Sequence, residues 1–380
     1  MTAGQDGTAP ADAAPDHRGA AMRFTVVAAP GDRRPALFAQ ACRSCGLPEP
    51  RLVSWADVLR GAEIDLTPGQ PLRIDSPGAD PECDALLRGP GHPARVGGGA
   101  RWYRTFTAAL RRVAAAASAS GARLVGDVEE IGVMFDKRRS HARLLEAGVP
   151  VPPALPEIDG YAALRRRMTQ AGVRSVFVKP AHGSSASGVV ALSTAPGRVR
   201  AVTSAARRPD GLFNSLRVRV YRSEDEVAAL IDALAPDGLH VERWLPKAVI
   251  GGRRFDLRVV VIGGEPTHAV VRTSRHPMTN LHLGGARGDL DAVRRNLGED
   301  RWKQAMDVCA RAAACFPNSL MVGVDLLVDA RWRRFEVGEV NAFGDLLPGL
   351  TGLPGGSAEG LDTYTAQVRA VLARSSACAT

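Results

Sequence analysis

The chain is poor in lysine, in aromatic residues and in long apolar runs, and each shortage excludes something. Only four of its 49 basic residues are lysine (Lys137, Lys179, Lys247 and Lys303); the other 45 are arginine. A surplus of +9 built of arginine, in an Ala- and Gly-rich chain, reads as compositional bias, so a nucleic-acid partner is not expected. Any lysine that falls in a motif becomes correspondingly informative. No run of about 18 apolar residues occurs, so no membrane span is expected. Residues 1–21 lack a cationic segment followed by an apolar one; they read as a disordered tail, not a secretory signal, with order from Met22. Cysteine is sparse too. Cys42 and Cys45 have CxxC spacing, but no second Cys or His pair follows at zinc spacing, and half-buried thiols in a helix are the expectation. Together these imply a reduced, cytoplasmic protein.

What is present is an alternation of strands and helices in 380 residues, enough for two or three domains. "MRFTVVAA" reads as a strand and "RRPALFAQACRSCG" as a helix, an α/β beginning. "VPVPP" at 149–153 breaks the chain at a domain edge. Further on lie the strand "SVFVKPA", a Gly/Ser loop and a second strand. Two arginine-rich β segments at 197–222 follow, either a solvated face or a collar for an acidic substrate.

The most telling stretch is "GVDLLVDARWRRFEVGEVNAFGD", 323–345. Its two apolar strands flank a turn near Arg331 and Trp332, which sets Asp325 across from Glu339. Glu339 and Asn341 point to one face. Two carboxylates and an amide at roughly 5 Å spacing suit Mg²⁺ or Mn²⁺; the other reading is a solvated hairpin face.

Other segments carry similar pairs of readings. Gly183, Ser184, Ser185 and Gly188 follow Lys179 in a loop able to wrap phosphate oxygens, or simply to turn. Lys137 opens a helix, where a lysine is ordinarily solvated. Glu242 lies in "HVERWLPK", where a strand backbone could pair with adenine and the carboxylate accept its amino proton, or where an acid merely sits on a strand edge. Arg258 and Arg272 lie on successive strands and can meet an anion, or an acid such as Asp256. Asn280 belongs to a second backbone loop, "NLHLGG".

In this order the segments resemble the ATP-grasp superfamily, near its glutathione synthetase and RimK-like branch, over roughly residues 125–350. The resemblance implies an ATP-grasp fold of α+β subdomains behind an N-terminal α/β, pre-ATP-grasp-like domain. The implied layout is a tail at 1–21, an N-terminal domain at 22–125 and the ATP-grasp region at 126–350. Within that region the lid subdomain would span about 150–240 and the metal-bearing subdomain about 241–350, and a C-terminal helix and tail would occupy 351–380. It implies ATP phosphates on Lys137, Lys179 and the glycine loop, and adenine at Val241, Glu242 and Leu245. It further implies Mg²⁺ on Asp325, Glu339 and Asn341, and phosphoryl stabilisation by Arg258, Arg272 and Asn280. The implied reaction joins a small-molecule or peptide carboxylate to an amine through an acyl phosphate, with a homodimer possible in such proteins. A small-molecule kinase and a non-enzymatic basic binding protein are the alternatives. The sequence departs from the family after Asn341, where Asp345 either alters the acceptor pocket or caps the next segment.

Overall fold

The computed structural model describes residues 22–78, 80–183 and 186–377. The expected N-terminal tail, and Ser184 and Ser185 of the glycine loop, lie outside these. Three sheets organise the chain. The first is parallel, in the order Arg51–Ser54, Thr25–Ala28, Pro71–Ile74, Arg123–Leu124. Parallel strands need crossovers, and helices Arg33–Ser44 and Gly99–Ser120 lie within two of them. Asp32 caps the first of these helices by accepting the Arg34 N–H.

The second sheet is antiparallel, ordered Gly211–Tyr221, Arg198–Arg208, Val190–Ala195, Ser175–Pro180, Leu239–Arg243. One face packs on helices Tyr161–Gln170 and Glu224–Leu234 through Leu164, Leu192, Leu230 and Ile231. The other carries Phe177, Ala191, Val202 and Trp244. The arginine-rich hairpin forms its outer edge. Thr203 pairs with Arg219 and Ala205 with Asn214, so residues 215–218 form a bulge, with Val218 packed near Met278 and Leu283 and with Arg217 and Arg219 exposed.

The third sheet runs Ala286–Arg287, Glu265–Ser274, Arg253–Ile262, Met321–Val328, Phe335–Asn341, with Val249–Ile250 added beside Arg253–Ile262. Helix Leu290–Ala314 packs against this sheet. Met321–Val328 is buried along its whole length, which fits its apolar run. A single core runs from the first sheet to the third, with Val27, Leu72, Phe106, Phe255 and Val324 among its members.

The C-terminal segment is integral to a core: in helix Thr363–Ala377, Tyr364 and Val368 pack with Phe38 and Val260. Asp345 fills neither role expected of it. Its carboxylate is fully buried and accepts Arg73 Nη2 at 2.7 Å and Gln367 Nε2 at 3.1 Å, tying the first sheet to the C-terminal helix. Among the described residues no helix is long and apolar enough to cross a membrane. The cysteines among them are free thiols.

Candidate active site

A cleft opens between the second and third sheets, and three of the four lysines line it. Lys303 is exposed on helix Leu290–Ala314 and is not among the lining residues. Lys137 is the first residue of helix Lys137–Glu146, aligned by its Asp136 cap. Its Nζ donates to the Gly183 carbonyl at 2.6 Å and pairs with Glu339 Oε1 at 3.0 Å. Lys179, from strand Ser175–Pro180, pairs with Glu242 Oε1 at 2.5 Å and donates to the Gly338 carbonyl at 3.1 Å. Lys247 pairs with Asp256 Oδ2 at 2.8 Å and donates to Thr279 Oγ1 at 2.9 Å.

The arginines complete the set. Sheet register places Asp256 opposite Arg272, Arg258 opposite Asp325, and Asp325 opposite Glu339, the last through a bulge at Gly338, which the turn alone would have set opposite Asp325. Arg272 reaches Asp256 Oδ1 at 2.8 Å and Asp325 Oδ2 at 3.0 Å; Arg258 Nε reaches Asp325 Oδ1 at 2.5 Å. Five cations and four carboxylates thus alternate, each with a partner of opposite sign, and all but Arg258 line the cleft. Burial raises the pKa of Asp256, but Arg272 and Lys247 outweigh it and hold the carboxyl well below the usual range. Asp325 is likewise lowered, its burial overcome by Arg258 and Arg272.

Several expected site residues stand elsewhere or have other partners. Glu242 is no surface acid: it is 3% exposed, with Lys179 on one oxygen and His240 Nε2 at 3.2 Å from the other. The strand edge expected to be open at Val241 is covered, because Leu155 N–H donates to the Val241 carbonyl and Arg243 N–H to the Pro153 carbonyl. Leu245, beyond this covering segment, lines the cleft. Gly188 packs away from the cleft: with φ +69°, a Cβ there would sit 2.6 Å from Val96 Cγ1, so only glycine fits. Asn280 lines the cleft, where its carbonyl accepts the Leu283 N–H. Arg258 and Asn341 stand behind the lining residues, Arg258 on Asp325 and Asn341 Nδ2 3.5 Å from the Gly323 carbonyl. Among the described residues no three His, Cys, Asp or Glu side chains gather as a metal site. The expected trio has two carboxylates and an amide, and both carboxylates are held by cations.

Lys247 and Thr279 had no role in the sequence reading. The scarcity of lysine was the available signal for Lys247; its pairing with Asp256 across a strand connection was not legible. Glu242 also yields a pH prediction. Burial raises its pKa, but Lys179 and His240 bring it down to about 2, below the unfolded value of 4.5. Its contribution, on the order of 3 kcal/mol, is therefore present above about pH 4.5 and lost as pH falls towards 2. Glu242→Gln is expected to be less stable than wild type at pH 7, with a gap that narrows by pH 3 in urea unfolding. A gap independent of pH would remove this role.

The sequence matches no family model and no curated protein. Solved structures do match. D-cycloserine synthetase DcsG superposes with a TM-score of 0.55 at 18% identity, covering 92% of this chain and 99% of DcsG. The ATP-grasp ligase PsnB, solved with a minimal precursor, gives 0.54 at 17% identity over 93% of this chain and 100% of PsnB. D-alanine–D-alanine ligase from Bacillus anthracis, solved with ATP, gives 0.51 at 13% identity over 94% and 98%. The chain has the ATP-grasp fold. The ATP-grasp superposition runs through the parallel N-terminal sheet as well as the two sheets that flank the cleft, since it covers more than nine-tenths of the chain.

Proposed function

We propose that the chain is an ATP-dependent ligase that joins a carboxylate, on a small molecule or peptide, to an amine. The observation that carries this reading is the alternating set of cations and carboxylates on the cleft wall. Buried charges are tolerated only when paired, and this set can exchange partners without leaving any charge alone. Lys137, Lys179 and Lys247 would pass from carboxylates to phosphate oxygens. Asp325 and Glu339, with Asn341, would hold Mg²⁺ or Mn²⁺, whose hard-oxygen preference they satisfy. Bound there, the ion would neutralise phosphate charge. Arg258 and Arg272, released from Asp325, would face the transferring phosphoryl group, with Asn280 beside them.

Phe177, Leu245 and Met278 offer apolar walls for a base, and Glu242 would turn from Lys179 to its amino group. Gly183 with Ser184 and Ser185 would cover the phosphates. Transfer of the γ-phosphoryl to a carboxylate oxygen releases ADP and gives an acyl phosphate; an amine then attacks the acyl carbon, forming the amide, expelling phosphate and losing a proton. Such chemistry needs positioning and charge neutralisation more than a protein nucleophile, which fits this residue set. The names of the structural neighbours, a D-cycloserine synthetase, a precursor-peptide ligase and a D-alanine–D-alanine ligase, support the reaction class.

The test begins with calorimetric binding of AMPPNP with and without Mg²⁺. It continues with ATP and panels of amino acids and acidic peptides, following phosphate release and products by mass spectrometry. ADP, phosphate and an amide support the ligase. A stable phosphorylated product with no amide would move the assignment to a kinase, and absence of Mg²⁺-dependent nucleotide binding would sink both.

A further inference from the structure

We propose that His182 is a positioning residue that clamps the entry of the glycine loop to the N-terminal part of the molecule, so that nucleotide affinity depends on an imidazole that need not touch the nucleotide. His182 is the residue between strand Ser175–Pro180 with Ala181 and Gly183, the first glycine of the loop. Three separate contacts converge on this point, and one of the partners is itself held in place. The imidazole stacks on Tyr103 of the long helix Gly99–Ser120, ring centroids 4.1 Å apart and planes 16° from parallel. Its Nε2 lies 3.1 Å from Asp136 Oδ2, the carboxylate that caps the Lys137 helix. The Tyr103 hydroxyl is itself fixed, donating to the Gly132 carbonyl at 3.0 Å and accepting from Arg139 Nη1 at 2.9 Å. The His182 carbonyl passes so close to Gly99 that a Cβ there would lie 2.8 Å away, so the helix start must be glycine.

The consequence lies in what is attached. Lys137 N–H donates to the Ala181 carbonyl, and Lys137 Nζ to the Gly183 carbonyl, one residue either side of His182. The joint therefore sets both the loop entry and the lysine proposed to meet phosphate. A Gly/Ser loop loses much conformational freedom when it orders on a ligand, and a fixed entry reduces that loss. His182 Nδ1 is buried with no partner among the described residues, so the imidazole is held through Nε2 and its stacked ring.

The proposal rests in part on the nucleotide reading, and two readouts separate them. His182→Ala is expected to weaken MgAMPPNP binding by about tenfold, on the order of 1.4 kcal/mol. Hydrogen exchange across 183–188 should quicken by a similar factor, with helix Gly99–Ser120 unchanged. His182→Gln, which keeps a planar donor for Asp136, should recover most of the affinity, and His182→Leu should not. Wild-type affinity and wild-type exchange in His182→Ala would overturn the clamp, as would exchange raised equally in the long helix, which marks a merely structural residue. Should the wild type bind no nucleotide, the ligase reading falls, and the exchange arm alone decides the clamp.

Discussion

Glu339→Gln is expected to lower MgAMPPNP affinity by about 100-fold or more, while the melting temperature stays within about 2 °C of wild type. Replacing even outer partners of metal ligands typically costs 10- to 100-fold in metal affinity, and Glu339 is proposed as a direct ligand. The small structural effect follows from its place at the cleft wall. Its side chain is 29% exposed, and its salt-bridge partner Lys137 keeps a second contact at the Gly183 carbonyl. Pairs of that exposure contribute little to folding. Calorimetry with and without Mg²⁺ on both proteins measures it. Unchanged Mg²⁺-dependent affinity in the variant would end the metal assignment, whatever happened to activity.

Arg272→Met should show the reverse balance, with a stability loss of about 3–5 kcal/mol at neutral pH. The guanidinium is 7% exposed and holds two buried carboxylates at once, Asp256 and Asp325. In the wild type both carboxyls titrate below their ordinary range, so their stabilising contribution is present above it and fades as pH falls. Without Arg272 their folded pKa values rise, and protonation relieves the unpaired charge. The deficit should therefore be largest at pH 7.5 and smaller near pH 4.5 in urea unfolding. An equal deficit at both would mean lost packing of the arginine stem, not lost pairing.

Both side chains line the cleft, and the two variants differ because Glu339 is part-exposed with one cation partner while Arg272 is buried between two carboxylates. That distinction was invisible in the sequence, where Glu339 and Arg272 looked equally like site residues. The hairpin was different. Its apolar alternation and a turn at Arg331–Trp332 predict the hairpin and set Leu326 opposite Val337. Carried on, they would set Asp325 opposite Gly338; a one-residue shift of register between Asp325 and Leu326 is what brings Glu339 there. Lys247 and Asp256 show the opposite limit. They are nine residues apart, on either side of the short Val249–Ile250 strand, and only the folding back of that segment joins them.

His182 was missed for a similar reason: its partners Tyr103 and Asp136 come from 79 and 46 residues earlier in the chain. By itself the sequence determined the order of strands and helices, the glycine loop behind Lys179 and the acid-bearing hairpin, since each depends on local periodicity and turn chemistry. The tertiary structure decided which cation neutralises which acid, that Val241 is covered by the 153–155 segment, and that Asp345 serves the core. Those outcomes depend on contacts between distant segments, where burial makes pairing obligatory but local sequence does not say with whom.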